Sequence, residues 1–171
     1  MIGSILMIII VLALVVPTVY AFHVGAPILF TPKSSIRQAL EFCEVKKGRK
    51  FYDLGCGTGR NVIVAAKEFN LDSVGLELSP ILFLISRMNL SLSRVPAEIR
   101  LKNMYKVDLS QADVVCCFLT PKAMRKLAPK FERELKSGAK IISYCFRLPD
   151  WEPLKIIDTD NPGKIFIYEK K

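Results

Sequence analysis

The hydrophobic pattern divides the chain into one unbroken apolar run and, after it, a series of short alternating segments. Residues 2–22 are apolar almost without interruption, and about 20 such residues suffice to cross a bilayer as a helix. Pro17 falls late in that run, where it would kink a helix at most. A short linker at 24–32 is punctuated by Gly25, Pro27 and Pro32. Ser34 then reads as an N-cap, and Ile36, Ala39, Leu40 and Cys43 fall on one helical face as far as about Glu44. A basic turn with Gly48 follows, and from there strand-like and helix-like runs alternate. Strands are expected at 50–54, 73–77, 98–101, 113–119, 140–145, 154–158 and 164–168, with helices near 61–69, 80–92 and 121–135. Pro80 behind Ser79, and Pro121 behind Thr120, each place proline at the first helical position after a capping hydroxyl. The run Asp160-Asn161-Pro162-Gly163 supplies a turn, so the last two strands should pair antiparallel. This alternation predicts an α/β fold of βαβ units around a largely parallel sheet, with no internal repeat.

Composition and charge sharpen the reading of the ends. Hydrophobic residues make up 51% of the chain, and much of the excess lies in the apolar run. No lysine or arginine precedes that run, whereas Lys33, Arg37, Lys46, Lys47, Arg49 and Lys50 follow it closely. The asymmetry predicts an uncleaved single-pass membrane anchor at 1–23, with the C-terminal bulk in the cytoplasm, or in the mitochondrial matrix of a eukaryote. A secretory signal peptide cleaved after Val19-Tyr20-Ala21 is the alternative, but it lacks a basic leading region. The net charge of +9 suits anionic partners such as RNA, DNA or an acidic membrane face, but the charges are scattered rather than clustered, which favours a role in solubility and anchoring. The five cysteines are odd in number and include no C-x-x-C pair, which argues against a disulfide framework or a zinc site and for a reducing compartment. His23 has no metal-ligating neighbours and reads as an interfacial residue, so no metal is expected.

Candidate chemistry concentrates at Asp53-Leu54-Gly55-Cys56-Gly57-Thr58-Gly59-Arg60, where a strand delivers three alternate glycines to the start of a helix. Such a turn brings backbone close to a ligand, and the helix start offers free N–H groups. A dinucleotide fingerprint needs its third glycine three residues after the second, where Arg60 stands here, so NAD-dependent chemistry is disfavoured. Asp53 repels phosphate and suits a cationic, amine-bearing ligand. S-adenosylmethionine has an α-amino group, a sulfonium and no phosphate. Glu77 lies 18 residues beyond Gly59, close to the offset at which an acid takes both ribose hydroxyls of a nucleoside.

Together these residues resemble the first two motifs of the Rossmann-like, seven-strand S-adenosylmethionine-dependent methyltransferases. The resemblance implies a Rossmann-like seven-stranded sheet over 50–171, mostly parallel with an antiparallel C-terminal strand and helices on both faces, behind a linker and N-terminal helix at 24–49. It implies that 55–59 pass under the methionine part of the cofactor and that Asn103 lies near the adenine. A closer resemblance rests on Ala26-Pro27 with Thr31-Pro32, on Asp108-Leu109-Ser110-Gln111-Ala112-Asp113, on Phe118-Leu119-Thr120-Pro121, and on Ser143-Tyr144-Cys145-Phe146 with Pro149-Asp150-Trp151. That order is similar to the protein-lysine methyltransferases of archaea and of mitochondria, the latter acting on the c-subunit of ATP synthase and on the adenine nucleotide translocase. A protein lysine, at or near a membrane bound through residues 2–22, is therefore the expected acceptor. RNA or a small molecule, or a non-catalytic cofactor-binding membrane module, stand as alternatives. The loop after the fourth strand lacks the Asp/Asn-Pro-Pro-Tyr/Phe of enzymes that methylate adenine N6 or glutamine. Phe118, Thr120, Pro121, Tyr144 and Trp151 are candidates for the acceptor channel. Thr120 also fits a helix cap, and Phe118 fits the core equally well. No general base is assigned.

Overall fold

The computed structural model describes residues 2–24, 31–159 and 163–171. Its strands are β1 (Lys50–Leu54), β2 (Asp72–Glu77), β3 (Ala97–Leu101), β4 (Val114–Cys117), β5 (Lys140–Tyr144), β6 (Lys155–Asp158) and β7 (Lys164–Glu169). Its α-helices are α1 (Ile2–Val24), α2 (Lys33–Cys43), α3 (Arg60–Phe69), α4 (Pro80–Ser93) and α5 (Pro121–Glu134). The strands form one sheet in the order β3-β2-β1-β4-β5-β7-β6. The five at the β3 side run parallel; β7 is antiparallel to both β5 and β6, as the sequence predicts for the last pair.

Alternation along the central strands decides the layering. Phe51 of β1 and Val114 and Cys116 of β4 face α2 and α3, packing with Ile36, Leu40 and Val64. Tyr52 and Leu54, with Val115 and Cys117, face α5 through Met124, Leu127 and Phe131. Helices thus cover both faces. α4 closes the β3 side, with Phe83 and Leu90 packed against Val62 and Ile99.

Three elements and one added turn depart from the sequence reading for a local reason, and the other elements shift by no more than one residue at an end. Lys33 opens α2 behind Pro32, whose carbonyl accepts from Ser35 N and Ile36 N at 3.0 and 3.3 Å; Ser34 is inside the helix and is not its N-cap. The fourth strand is shorter than 113–119. At its start the Asp113 carboxylate is occupied by the Lys50 amide at 2.8 Å, and after Cys117 the chain turns away to Thr120, the cap of α5. The fifth strand stops at Tyr144, because Cys145 has a φ of 68° and leaves the extended region. A 3-10 turn, Met104–Lys106, which the sequence pattern did not predict, follows β3. The linker at 25–30, the side chain of His23 and the turn at 160–162 lie outside the described residues.

Among the described residues, α1 is the one helix long and apolar enough to cross a membrane, with a mean hydropathy of 2.5 over Gly3–Tyr20. Its side chains are mostly exposed; Thr18, 8% exposed, is where it meets the rest of the molecule.

Candidate active site

The glycine turn is shaped by its neighbours before any ligand is considered. Gly55 N and Cys56 N both donate to the Leu76 carbonyl, at 2.9 and 3.0 Å, which ties the turn to the end of β2. Gly55, Gly57 and Gly59 all have positive φ, at 75°, 55° and 78°. They are not equivalent. A Cβ on Gly59 would stand 3.2 Å from Ser86 Cβ of α4, so this glycine lets two elements touch. A Cβ on Gly57 would meet nothing within 4 Å, so this glycine borders open space at the C-terminal ends of the strands, where ligands of open α/β sheets bind.

Two buried carboxylates stand at this turn. Glu77, at the end of β2 and 6% exposed, is held by three backbone donors: Gly57 N to Oε2, and Leu78 N and Ser79 N to Oε1, each at 2.8 Å. Burial pushes its carboxyl above the usual range, against those amides, which pull it down. A carboxylate has about four lone-pair directions, so Glu77 retains capacity to accept from a ligand. Asp53, 2% exposed, has an Oδ2 with no hydrogen-bond partner. Burial pushes its carboxyl up to about 7, the Asn61 side chain at the start of α3 pulling down and the charge of Glu77 pushing up. Thr58 Oγ1, in the same turn, is a second buried oxygen without a partner. Unsatisfied buried polar atoms are costly, and two of them at one glycine turn mark where a ligand completes the site.

The remaining candidates separate into two groups. Asn103 sits after β3 and caps the 3-10 turn, its side-chain oxygen accepting from Tyr105 N at 3.0 Å; a base would have to be read by its Nδ2 or by backbone. Thr120 is the N-cap of α5, its hydroxyl accepting from Ala123 N at 3.3 Å, and Pro121 is exposed in the first turn. Phe118, half-buried, meets buried Tyr144 edge-to-face with ring centroids 4.9 Å apart. These two rings belong to the α2–α3 side of the sheet. Trp151 packs on the α5 side, edge-to-face with Tyr168 at 6.4 Å. The structure therefore brings Phe118 and Tyr144 together and leaves Trp151 on the other face.

Three supporting residues were missed by sequence reasoning. Asn89 of α4 donates from Nδ2 to the Thr58 carbonyl at 3.0 Å and so holds the glycine turn from outside. Its signal was a lone carboxamide in an apolar helix. Asn61 had none, being one polar residue in a helix start. Gly75 of β2 has a negative φ, but a Cβ there would lie 2.8 Å from Cys56 Sγ and Ile99 Cδ1, and 2.9 Å from Val62 Cγ2. It lets the glycine turn and α3 settle on the sheet, a need that only the fold reveals.

Comparison with known proteins bears on the same residues. The ANTKMT methyltransferase domain model matches residues 53–155, more than half of the chain. A protein-lysine N-methyltransferase of Saccharolobus islandicus is 37% identical over 145 residues, 83% of this chain and 89% of that protein. The adenine nucleotide translocase lysine N-methyltransferase of Mus musculus is 30% identical over 80% of this chain, and the human ATP synthase C-subunit lysine N-methyltransferase 34% over 72%. This chain spans only 61% and 54% of the lengths of those two proteins. Among solved structures, an RNA methyltransferase from Salinibacter ruber in complex with S-adenosyl-L-homocysteine superposes with a TM-score of 0.79 at 31% identity, over 82% of this chain and 93% of that one. The site fits S-adenosylmethionine: Asp53 Oδ2 lacks a partner and suits an ammonium, Glu77 can still accept from hydroxyls, and Gly57 leaves room beside Glu77. A family model over most of the domain and relatives at 30% identity or more across most of the chain agree with that fit: the chain belongs to the ANTKMT methyltransferase family and is an S-adenosylmethionine-dependent methyltransferase.

Proposed function

We propose that the chain methylates a lysine ε-amine of a protein at or near a membrane, to which α1 fastens it as an uncleaved anchor. The observation that carries the acceptor is the 37% identity, over most of both chains, to a protein-lysine N-methyltransferase. The anchor reading is supported by the length and hydropathy of α1 and by the cluster of basic residues that follows it, which favours a cytoplasmic or matrix-side domain.

In this reading Asp53 receives the α-ammonium of the cofactor through its free Oδ2, and Glu77 receives the ribose hydroxyls. The backbone of 55–59 passes under the methionine chain, and Asn103 lies by the adenine. When bound, the cofactor supplies an electrophilic methyl group on its sulfonium. Phe118 and Tyr144, with Thr120 and Pro121 at the mouth, line the approach of the acceptor. Trp151 acts on that approach only through the loop it stiffens. A lysine ammonium must shed a proton before it can attack, from a reference pKa of about 10.4. A ring-lined, water-poor mouth disfavours the charged form and so lowers that pKa. Holding the amine in line with the methyl then supplies much of the rate, with effective molarities on the order of 10⁵ M or more. No side chain is assigned as a general base.

RNA is the second reading, favoured by the net charge of +9 and by the likeness to the Salinibacter ruber enzyme. Methyl-labelled cofactor, full-length enzyme and a membrane-containing lysate separate the two. Label that vanishes with protease, survives RNase and maps to lysine by mass spectrometry is the expected result. Label that follows RNase instead assigns RNA.

A further inference from the structure

α4 leaves an apolar face uncovered. Leu84, Met88 and Leu92 stand four residues apart, on one side of the helix, and are 56%, 58% and 75% exposed. The opposite side carries Leu82 and Ser86, which are buried. The only charges on the helix and its cap are cationic, Arg87 and Arg94, both exposed, and α4 contains no acidic residue. Exposed leucine and methionine on one face, with arginines beside them, suit the interface of an anionic bilayer.

α1 is fastened to this helix at its start. Leu82 N donates to Ser79 Oγ at 3.2 Å, and Thr18 Oγ1 donates to the Leu14 carbonyl at 2.7 Å. With the Thr18 proton so committed, the 3.0 Å contact between the two hydroxyls is a donation from Ser79 to Thr18. Thr18 stands two residues from the end of the apolar window Gly3–Tyr20, about 3 Å along a helix axis. If α1 spans a bilayer, the start of α4 is therefore held at the level of the headgroups. The other described residues of α1 are largely exposed, and Leu84, Met88 and Leu92 are exposed with α1 in place.

We infer that the catalytic domain makes a second membrane contact of its own, through the Leu84, Met88 and Leu92 face of α4 lying in the headgroup region of an anionic bilayer. This rests on α1 being a membrane anchor. It does more than tether: Ser79 donates its amide to Glu77, and Asn89 holds the glycine turn, so the helix on the bilayer is the one that frames the cofactor site. The mouth of the site is then fixed at a set height above the membrane, which favours acceptor lysines close to the lipid surface.

Full-length protein carrying Leu92→Trp, in nanodiscs of phosphatidylcholine and phosphatidylglycerol with acyl chains brominated near the headgroup, tests the contact. The protein has one native tryptophan, Trp151, so the unsubstituted chain supplies the background. The added emission should fall roughly twofold, as expected for a side chain seated about 5–10 Å deep. Full added emission, in protein that stays in the disc, overturns the inference while leaving the anchor intact. A blue-shifted but unquenched signal also overturns it, since a protein or a second copy would then cover the stripe. Protein that never enters discs removes the anchor reading, and this inference falls with it. As an independent arm, Leu84→Gln, Met88→Gln and Leu92→Gln together should speed amide exchange over 80–93 about tenfold in anionic discs, with α1 still inserted. Unchanged exchange would count against the contact.

Discussion

On the β1–β2 side of the sheet, Glu77 is set in a frame of three backbone amides, and Asp53 and Thr58 each keep a buried oxygen without a partner beside the glycine turn. On the β4–β5 side there is no such frame. There the site consists of rings, a capping threonine and a loop that holds Cys145 and Asp150 at φ of 68° and 60°. Left-handed backbone at non-glycine residues costs roughly 1 kcal/mol or more each and persists only where surroundings enforce it. Here Ser143 Oγ donates to the Phe146 carbonyl at 2.5 Å, and Leu148 N donates to the Tyr168 hydroxyl at 2.9 Å. The difference follows from what each half receives. A cofactor of fixed shape and charge is recognised by fixed polar atoms, whereas an amine that must lose its proton needs a dry, shaped surface with little polar chemistry.

The comparison breaks most completely at Glu77. Replacing it with alanine strips three amides at 2.8 Å of their acceptor and removes the proposed ribose contact. Losing charge-assisted bonds of this kind should raise the cofactor Kd about a thousandfold, or about 4 kcal/mol. Titration calorimetry on full-length protein reads it; a Kd within a few-fold of the unsubstituted chain would remove Glu77 from the site. Gly75→Ala attacks the same half from beneath. Its Cβ would crowd Cys56, Ile99 and Val62 at once, costing about 1–3 kcal/mol of stability. Adding Cys56→Ala should return part of that loss in urea unfolding, because Cys56 Sγ is one of the crowding atoms.

These two residues also mark what the sequence could convey. Glu77 was legible because its chemistry is tied to a spacing: a strand end at a set distance from a glycine turn. The order of strands and helices was legible for a similar reason, since alternation of apolar runs is local. Gly75 was not, because its need arises from Cys56, Val62 and Ile99, which the fold brings together from three other elements. The acceptor side resisted for the same cause. Phe118, Tyr144 and Trp151 were all candidates for one channel, yet the side-chain alternation of β4, β5 and β7 sends Trp151 to the α5 face and the other two to the α2–α3 face. The strand boundaries failed where a side chain or a positive φ ended the ladder, at Asp113 and Cys145.

A smaller effect is expected from the ring pair. Phe118→Ala opens one wall beside Tyr144 without touching either carboxylate. Acceptor KM should rise on the order of tenfold while the cofactor Kd stays unchanged, since positioning and desolvation are lost and cofactor contacts are not. If Phe118 is only a core residue, stability drops and the KM-to-Kd split does not appear.

The mildest test leaves the sequence alone and changes pH. Asp53 is protonated below about 7 in the folded chain, where burial raises it, and only below about 4 in an unfolded one. For a raised acid, the favourable contribution is complete below the unfolded value and declines as pH rises toward the folded one, by about 4 kcal/mol across that window. The cofactor-free protein should therefore lose stability on Asp53's account between about pH 4 and pH 7, then level off. An ammonium placed at Oδ2 needs the ionised form, so the apparent Kd should rise about tenfold from pH 8 to pH 6, in proportion to the fraction that is competent. Cofactor would accordingly raise Tm more at the higher pH. Asp53→Asn should weaken binding at both values and abolish the difference between them. If the slope survives in that variant, another group titrates with the cofactor, and the ammonium contact belongs elsewhere in the turn.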